Sequence, residues 1–359
     1  MSDALYVRRI RGLVDQPWCE WCEFYHKPCP AYDVDHDIWD EILRYLGMAD
    51  LARLQLASAH FGLIVAEKTS RDCESLLSAF GLSDGAVTVD EEFDASGLGI
   101  MASLEYHSSI IVGMAPLRIL YPQLPMPKRL DIFCSWGNRE MAYVLEARGY
   151  RRKAVITHKF NIADSMGYRF FGENVQDVIL MEKEVQDAGV KEVLLVGCKG
   201  HVSPVSLLTE SPCTLLMNFI TGDGFYSLYP RLTADAVGLF NIPYHEPTLV
   251  LPRIPIIETL RAAGFKVYKS VEEGYPNHRC TSWSSCPLAI RSFPSPADFA
   301  IEFNLVGGNR RAEATTIGEV FWRLKCGWSC GGLRTRYYSG FHSGTWTGAI
   351  VQGLSHGIS

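Results

Sequence analysis

The chain has no apolar run approaching the ~18 residues that a membrane-spanning helix needs. It lacks a Gly-x-x-x-x-Gly-Lys-Ser/Thr phosphate loop. It also lacks a Gly-x-Ser-x-Gly nucleophile turn, since FHSGTW around Ser343 carries only part of one. His107 next to Ser108 is adjacency along the chain and defines no catalytic pair. The start, MSDALYVRRIRG, shows no apolar core followed by a small-residue cleavage site, so an intracellular protein of cytoplasm or nucleus is expected. Internal repeats and long low-complexity tracts are missing too. Positive charge is scarce where it would matter for nucleic acid: residues 1–100 hold 18 acids against 8 Lys and Arg. The rest holds 22 against 26, and the whole chain is at −6, a balance that argues against nucleic-acid binding.

What is present is material for two or three domains: 359 residues, 47% hydrophobic and 21% charged. Eleven cysteines in a chain without an export signal read as reduced thiols or metal ligands rather than as disulfides. WCEWCEFYHKPC sets Cys19, Cys22, His26 and Cys29 within eleven residues. Its Cys-x-x-Cys turn points two sulfurs to one side, as a tetrahedral structural zinc requires. The alternative is an arm packed on the body by Trp18, Trp21, Phe24 and Tyr25, with the thiols merely buried. No other cofactor is expected. Cys280, Cys286, Cys326 and Cys330, with His278 nearby, form a looser set whose spacings are not those of zinc ribbons, so buried thiols in a small β-rich subdomain are preferred. Phe321, Trp322 and Trp328 among Arg323, Lys325, Arg334 and Arg336 can stack bases or anchor a partner, but at this charge they read better as half-buried strand residues.

The most organised stretch is VDHDIWDEILRYLGMADLARLQLASAHFGLIV, residues 34–65. Apolar residues at Val34, Ile38, Ile42, Leu43, Leu46, Leu51, Leu54, Leu56, Phe61, Leu63 and Ile64 predict two helices joined by a turn at Gly47–Asp50. Asp35 and Asp50 stand at N-cap positions, and Cys73–Phe80 reads as a further short helix. Ile42-Leu43-Arg44-Tyr45-Leu46, then Asp50-Leu51-Ala52-Arg53-Leu54, then Ser58 and His60-Phe61 follow one another as in the F-box. The stretch resembles that module, with Val34-Asp35 where the family has Leu-Pro and Asp37 at its acidic position. The resemblance covers 32 residues and implies docking on a Skp-type adaptor of a cullin ubiquitin ligase. Candidates for the docking face are Val34, Ile38, Ile42, Leu43, Leu46, Leu51, Leu54 and Phe61. An ordinary helical hairpin would show the same apolar period.

Beyond an acidic linker at 81–99, the run from Ser108 to Tyr150 reads strand, Gly turn, helix, strand with an acid, helix. Gly113 ends the first strand, Asp131 lies in the next strand over Arg129–Cys134, and Glu192 borders a later one. This order resembles the minimal nucleotidyltransferase fold, whose signature is a Gly turn, an Asp-x-Asp and a third acid that together hold two Mg²⁺. Here Met114 replaces a small residue and Arg129 replaces the first acid, so an ion pair with Asp131 is expected in place of a metal cluster. Asp131 and Glu192 are the only catalytic candidates, and an unrelated α/β layer remains open. The passage from Ser203 to Asn241, with the earlier Leu130-Asp131-Ile132-Phe133 strand, resembles proteins of filamentous fungi, some of which join an F-box to a degenerate nucleotidyltransferase-like region.

Further on, Thr214–Thr221 reads as a short apolar helix, Thr233 as an N-cap, Ile256–Ala263 as a helix and Phe265–Lys269 as a strand. The expected fold is α+β: an arm at 1–33, a helical module at 34–80, a linker at 81–99, an α/β domain at 100–260 and a β-rich region at 261–359. The expected function is that of an F-box substrate receptor, without catalytic groups of its own, binding an unknown target protein and no membrane. The rival is a metal-dependent nucleotidyltransferase-fold enzyme or a ligand-binding pseudoenzyme.

Overall fold

A computed structural model describes residues 36–57, 59–83, 99–135, 138–157, 174–186, 188–200, 202–241, 255–269, 271–278, 286–287, 289–294, 299–303, 320–324 and 344–345. Among these the strands are β1 (Ile110–Val112), β2 (Arg129–Cys134), β3 (Arg151–Thr157), β4 (Val175–Val185), β5 (Gly189–Cys198), β6 (Asn218–Ile220) and β7 (Gly224–Ser227). They continue with β8 (Val237–Leu239), β9 (Lys266–Tyr268), β10 (Arg291–Phe293), β11 (Phe299–Glu302), β12 (Val320–Trp322) and β13 (Gly344–Thr345). Eight of them make one mixed sheet in the order β11-β7-β6-β1-β2-β5-β4-β3. Only β2 and β5 run parallel there; the other neighbours are antiparallel.

Side-chain alternation sorts the two faces of this sheet. In β2, Leu130, Ile132 and Cys134 point to one core with Ile111, Ile179 and Leu195, while Phe133 joins Ile110, Val178 and Leu194 in the other. Both faces are covered, which is why these strands read as nearly unbroken apolar runs. The first face carries α1 (His36–Arg44), α2 (Met48–Ala57), α3 (Ala59–Ser78), α4 (Ile100–Tyr106), α5 (Met114–Leu120) and α6 (Arg139–Ala147). The second carries α7 (Pro204–Leu208), α8 (Pro230–Ala234) and the small β10-β12-β13 sheet. A β8–α9–β9 unit, with α9 at Pro255–Ala262 and its strands parallel, builds a third cluster around Leu215, Phe240, Ile257 and Leu260. Helix α10 spans Val271–Gly274.

The helical segment shares its core with the sheet: Leu43, Leu51, Ile64, Val65, Leu76 and Phe80 pack in one cluster with Ile111, Ile132 and Leu195. Polar ties reinforce this seam. Tyr150 Oη donates to the Phe80 carbonyl at 2.5 Å, Lys183 Nζ to the Gly81 carbonyl at 2.9 Å, and Gln55 Nε2 to the Ala300 carbonyl at 2.9 Å. β11 belongs to the main sheet although it comes from the 261–359 segment. The boundaries drawn at 81–99 and 260 therefore mark shifts along the sequence and not separate cores among the described residues.

Four local expectations are corrected. The first turn falls at Tyr45–Gly47; Met48 is already helical and buried, so Asp50 lies in the first turn of α2 and pairs with Arg53 instead of capping. α3 runs unbroken through Ser78, absorbing the separate helix expected at Cys73–Phe80, because no Gly or Pro interrupts residues 63–80. Thr214–Thr221 is a 3₁₀ turn (Thr214–Leu216) followed by β6, whose Phe219 and Ile220 are claimed by pairing with β7. Thr233 sits inside α8, not at its N-cap.

One edge of the large sheet, β11, is covered by α2 and α3. The other edge, β3, carries Arg151, Arg152 and Lys153 and an irregularity in its register between Arg152 and Ala154. Cations and a bulge are two of the devices that keep an edge strand from pairing with another chain.

Candidate functional site

Helix α1 and the turn that follows it present two apolar stripes at i, i+4, i+7 spacing. Trp39, Leu43 and Leu46 face inward: Leu43 is 1% exposed, and the Trp39 ring packs edge-on against Phe61 with centroids 5.3 Å apart. Ile38, Ile42 and Tyr45 make the second stripe and are 54%, 41% and 80% exposed. Tyr45 Oη is held to Glu41 Oε1 at 3.0 Å, and Glu41 also pairs with Arg44.

The structure thus divides the docking candidates. Leu43 and Leu51 are buried in the chain's own core, and Leu46, Leu54 and Phe61 lie partly buried against it. Those five close the helical segment onto the sheet. Ile38 and Ile42 remain available, joined by Tyr45, which the apolar period alone passed over. Its place in the Ile42–Leu46 block was the signal that could have found it. Val34 lies outside the described residues.

The region around Asp131 has the local order expected of it, and its electrostatics argue against a metal. Gly113 links β1 to α5 at φ 80°, ψ −134°, a conformation that is essentially restricted to glycine. Val112 pairs with Asp131, which sets this turn beside the acid. Asp131, however, accepts from Arg129 Nε at 2.6 Å and from Nη2 at 3.4 Å, as the sequence led us to expect. Glu192 is in register with Arg129, two pairs along from Asp131, and bonds Lys153 Nζ at 2.9 Å; Glu182 shares that amine at 3.1 Å. The two candidate acids are therefore engaged by different cations. Arg151, Glu182, Glu192 and Arg129 form a charged row across four strands. No group of three or more His, Cys, Asp or Glu side chains fit to hold a metal occurs among the described residues. Mg²⁺ does not fit Asp131 and Glu192 as they stand.

Cys19, Cys22, His26 and Cys29 lie outside the described residues, as do Cys280, Cys326 and Cys330. Cys286 is buried and so is Trp322, which fills core between α7 and β10 instead of offering a stacking surface.

A polar seam closes the end of the sheet where β2 and β5 finish. Asp177, Gly197 and Cys134 stand in register across β4, β5 and β2, with Ser109 leading into β1 alongside. Burial pushes the Cys134 thiol up to about 12, against a hydrogen bond from Ser109. Asn138 Nδ2 donates to the Leu195 carbonyl, while Asn138 Oδ1, His107 Nε2 and Asp177 Oδ1 are buried without a hydrogen-bond partner among the described residues. Burial raises the Asp177 pKa above 3.8, and Arg139 partly offsets the rise. A raised folded-state pKa means that the folded chain holds this proton to higher pH than the unfolded chain does. The group thus costs stability above its raised pKa, and the cost fades as pH falls toward 3.8. Asp177→Asn is expected to raise Tm at pH 7, with the advantage shrinking on acidification. A pH series of thermal melts checks this; an advantage that grew on acidification would contradict it. His107, whose pKa burial lowers, is common to both proteins and cancels.

Compared with protein-family models, with curated proteins and with solved structures, the chain matches none. No helix among the described residues is long and apolar enough to cross a membrane.

Proposed function

We propose that the chain is a substrate-receptor subunit of a cullin ubiquitin ligase, docking a Skp-type adaptor through the helical segment and holding a target protein on the α/β body. The observation that carries this reading is the second apolar stripe of α1. Ile38 and Ile42 on α1, and Tyr45 in the turn after it, are left exposed, while the other stripe already meets the core's needs. An amphipathic helix of a self-contained hairpin needs one stripe; a helix that also meets a partner needs two. Covering such side chains is worth roughly 1.5–3 kcal/mol each before the costs of association. The mechanism is proximity: the receptor raises the local concentration of a target lysine near the charged ubiquitin enzyme and needs no catalytic group.

A pull-down with purified Skp-type adaptor tests the reading. Wild type is expected to be retained. Ile42→Asp is expected to weaken retention a hundredfold or more, since an unpaired carboxylate in an apolar interface costs about 3 kcal/mol. Its unfolding temperature should stay unchanged, because Ile42 lies outside the core. Retention of Ile42→Asp at the wild-type level, or no retention of the wild type, would remove the assignment.

The second reading, a ligand-binding relative of the nucleotidyltransferases without catalysis, is favoured by one feature: the Gly113 turn beside Asp131. It predicts no Mg²⁺-dependent nucleotide turnover, and measurable turnover abolished by Asp131→Asn would reverse it in favour of an enzyme.

A further inference from the structure

Arg291 on β10 pairs with Trp322 on β12, and its guanidinium carbon stands 4.4 Å from the centroid of the Tyr229 ring. That ring is fixed from its far end, because Trp322 Nε1 donates to Tyr229 Oη at 3.0 Å and both aromatic side chains are buried. The guanidinium therefore lies on a rigid aromatic shelf. Its Nε and Nη2 are both buried, and neither has an acceptor among the described residues. These two N–H groups point the same way in the guanidinium plane and form the side-on fork that matches two oxygens of one oxyanion. The chain already uses this edge elsewhere: Arg129 presents Nε and Nη2 to the two oxygens of Asp131. At Arg291 the same fork is formed, oriented and without a carboxylate, and a ring face is a poor substitute for a counter-charge in a desolvated place.

We propose that Arg291, on the Tyr229–Trp322 shelf, is a receptor for an oxyanion, a carboxylate or phosphate group carried by a ligand. The proposal goes beyond adaptor docking and does not depend on it, since α1 lies on the opposite face of the sheet.

Thermal unfolding of the full chain in Tris chloride tests it, with sodium phosphate or sodium acetate exchanged for sodium chloride at constant ionic strength. One of the two anions is expected to raise Tm saturably by a few degrees at millimolar concentration, and the comparison of arms tells phosphate from carboxylate. A general salting effect would instead rise without saturating. Arg291→Met, which removes charge and fork, and Arg291→Lys, which keeps the charge without the planar fork, are both expected to lose the response. The proposal is overturned if neither anion moves the wild type, or if the response survives in Arg291→Met.

Discussion

Gly222→Ala is expected to destabilise the protein by about 3 kcal/mol, enough to lower Tm by several degrees or to leave little soluble protein. Gly222 lies in the β6–β7 turn, directly under α4. A Cβ there would stand 2.5 Å from Glu105 Cβ and 2.9 Å from Glu105 N, and closer still to the Met101 carbonyl oxygen. Two of those atoms are helix backbone, so no side-chain rotation relieves the clash, and α4 itself must move. It cannot move freely: Ile100 and Leu104 are buried in the core that also holds Ile111 and Ile220. The turn is equally fixed, because Thr221 Oγ1 accepts from the Gly224 amide at 3.0 Å and bonds the Asp223 carboxylate. The effect is one of contact, with no left-handed backbone involved. Urea unfolding of Gly222→Ala beside Gly189→Ala separates the two causes, since Gly189 has φ 69° and nothing within 4 Å of a Cβ. A loss at Gly222 no larger than at Gly189 would show that α4 yields easily.

Much of the secondary structure was legible because periodicity and breakers agreed. Residues 110–120 and 129–148 fall where strand, Gly turn, helix, strand and helix were read, since Gly113, the Pro-rich loop and Gly149 punctuate them. Pro255–Ala262 and Lys266–Tyr268 were equally clear around Gly264. Failures came where tertiary pairing overrode the local signal. Asn218-Phe219-Ile220 is apolar enough for a buried helix or a strand, and only its partner strands decide. Of the long β4–β5 hairpin only the strand bordered by Glu192 was read, because its far end carries the unbroken charged run Glu182-Lys183-Glu184. The candidate docking face was blurred for a related reason. A period of 3.6 marks Leu43 and Ile42 alike, and which of them faces the core depends on where the sheet lies. Arg291 was not legible at all, since nothing along the chain connects it to Tyr229, sixty-two positions earlier.

Arg129→Met is the second substitution expected to have a large effect, costing about 3 kcal/mol at pH 7. The Arg129 side chain is 22% exposed and that of Asp131 10%, so the pair lies near the buried limit, where breaking one partner strands the other. Asp131 sits between Val112 and Leu194, two apolar neighbours in register that offer it no hydrogen bond from their side chains. The double variant Arg129→Met/Asp131→Leu is expected to return close to wild-type stability, since buried ion pairs replaced whole by apolar groups are often neutral. A double-mutant cycle on urea midpoints would then show a coupling of about 2 kcal/mol or more. Losses that simply add would mean that the two charges are solvated separately. The same series bears on chemistry. Arg129→Met leaves Asp131 without its strongest cation, the state most favourable to a divalent ion. Glu192 nonetheless stays bound to Lys153, two register pairs away, so the single variant should show no Mg²⁺-dependent nucleotide turnover. An Arg129 that only fills and neutralises its row, with no activity suppressed behind it, is what a receptor body requires of that position.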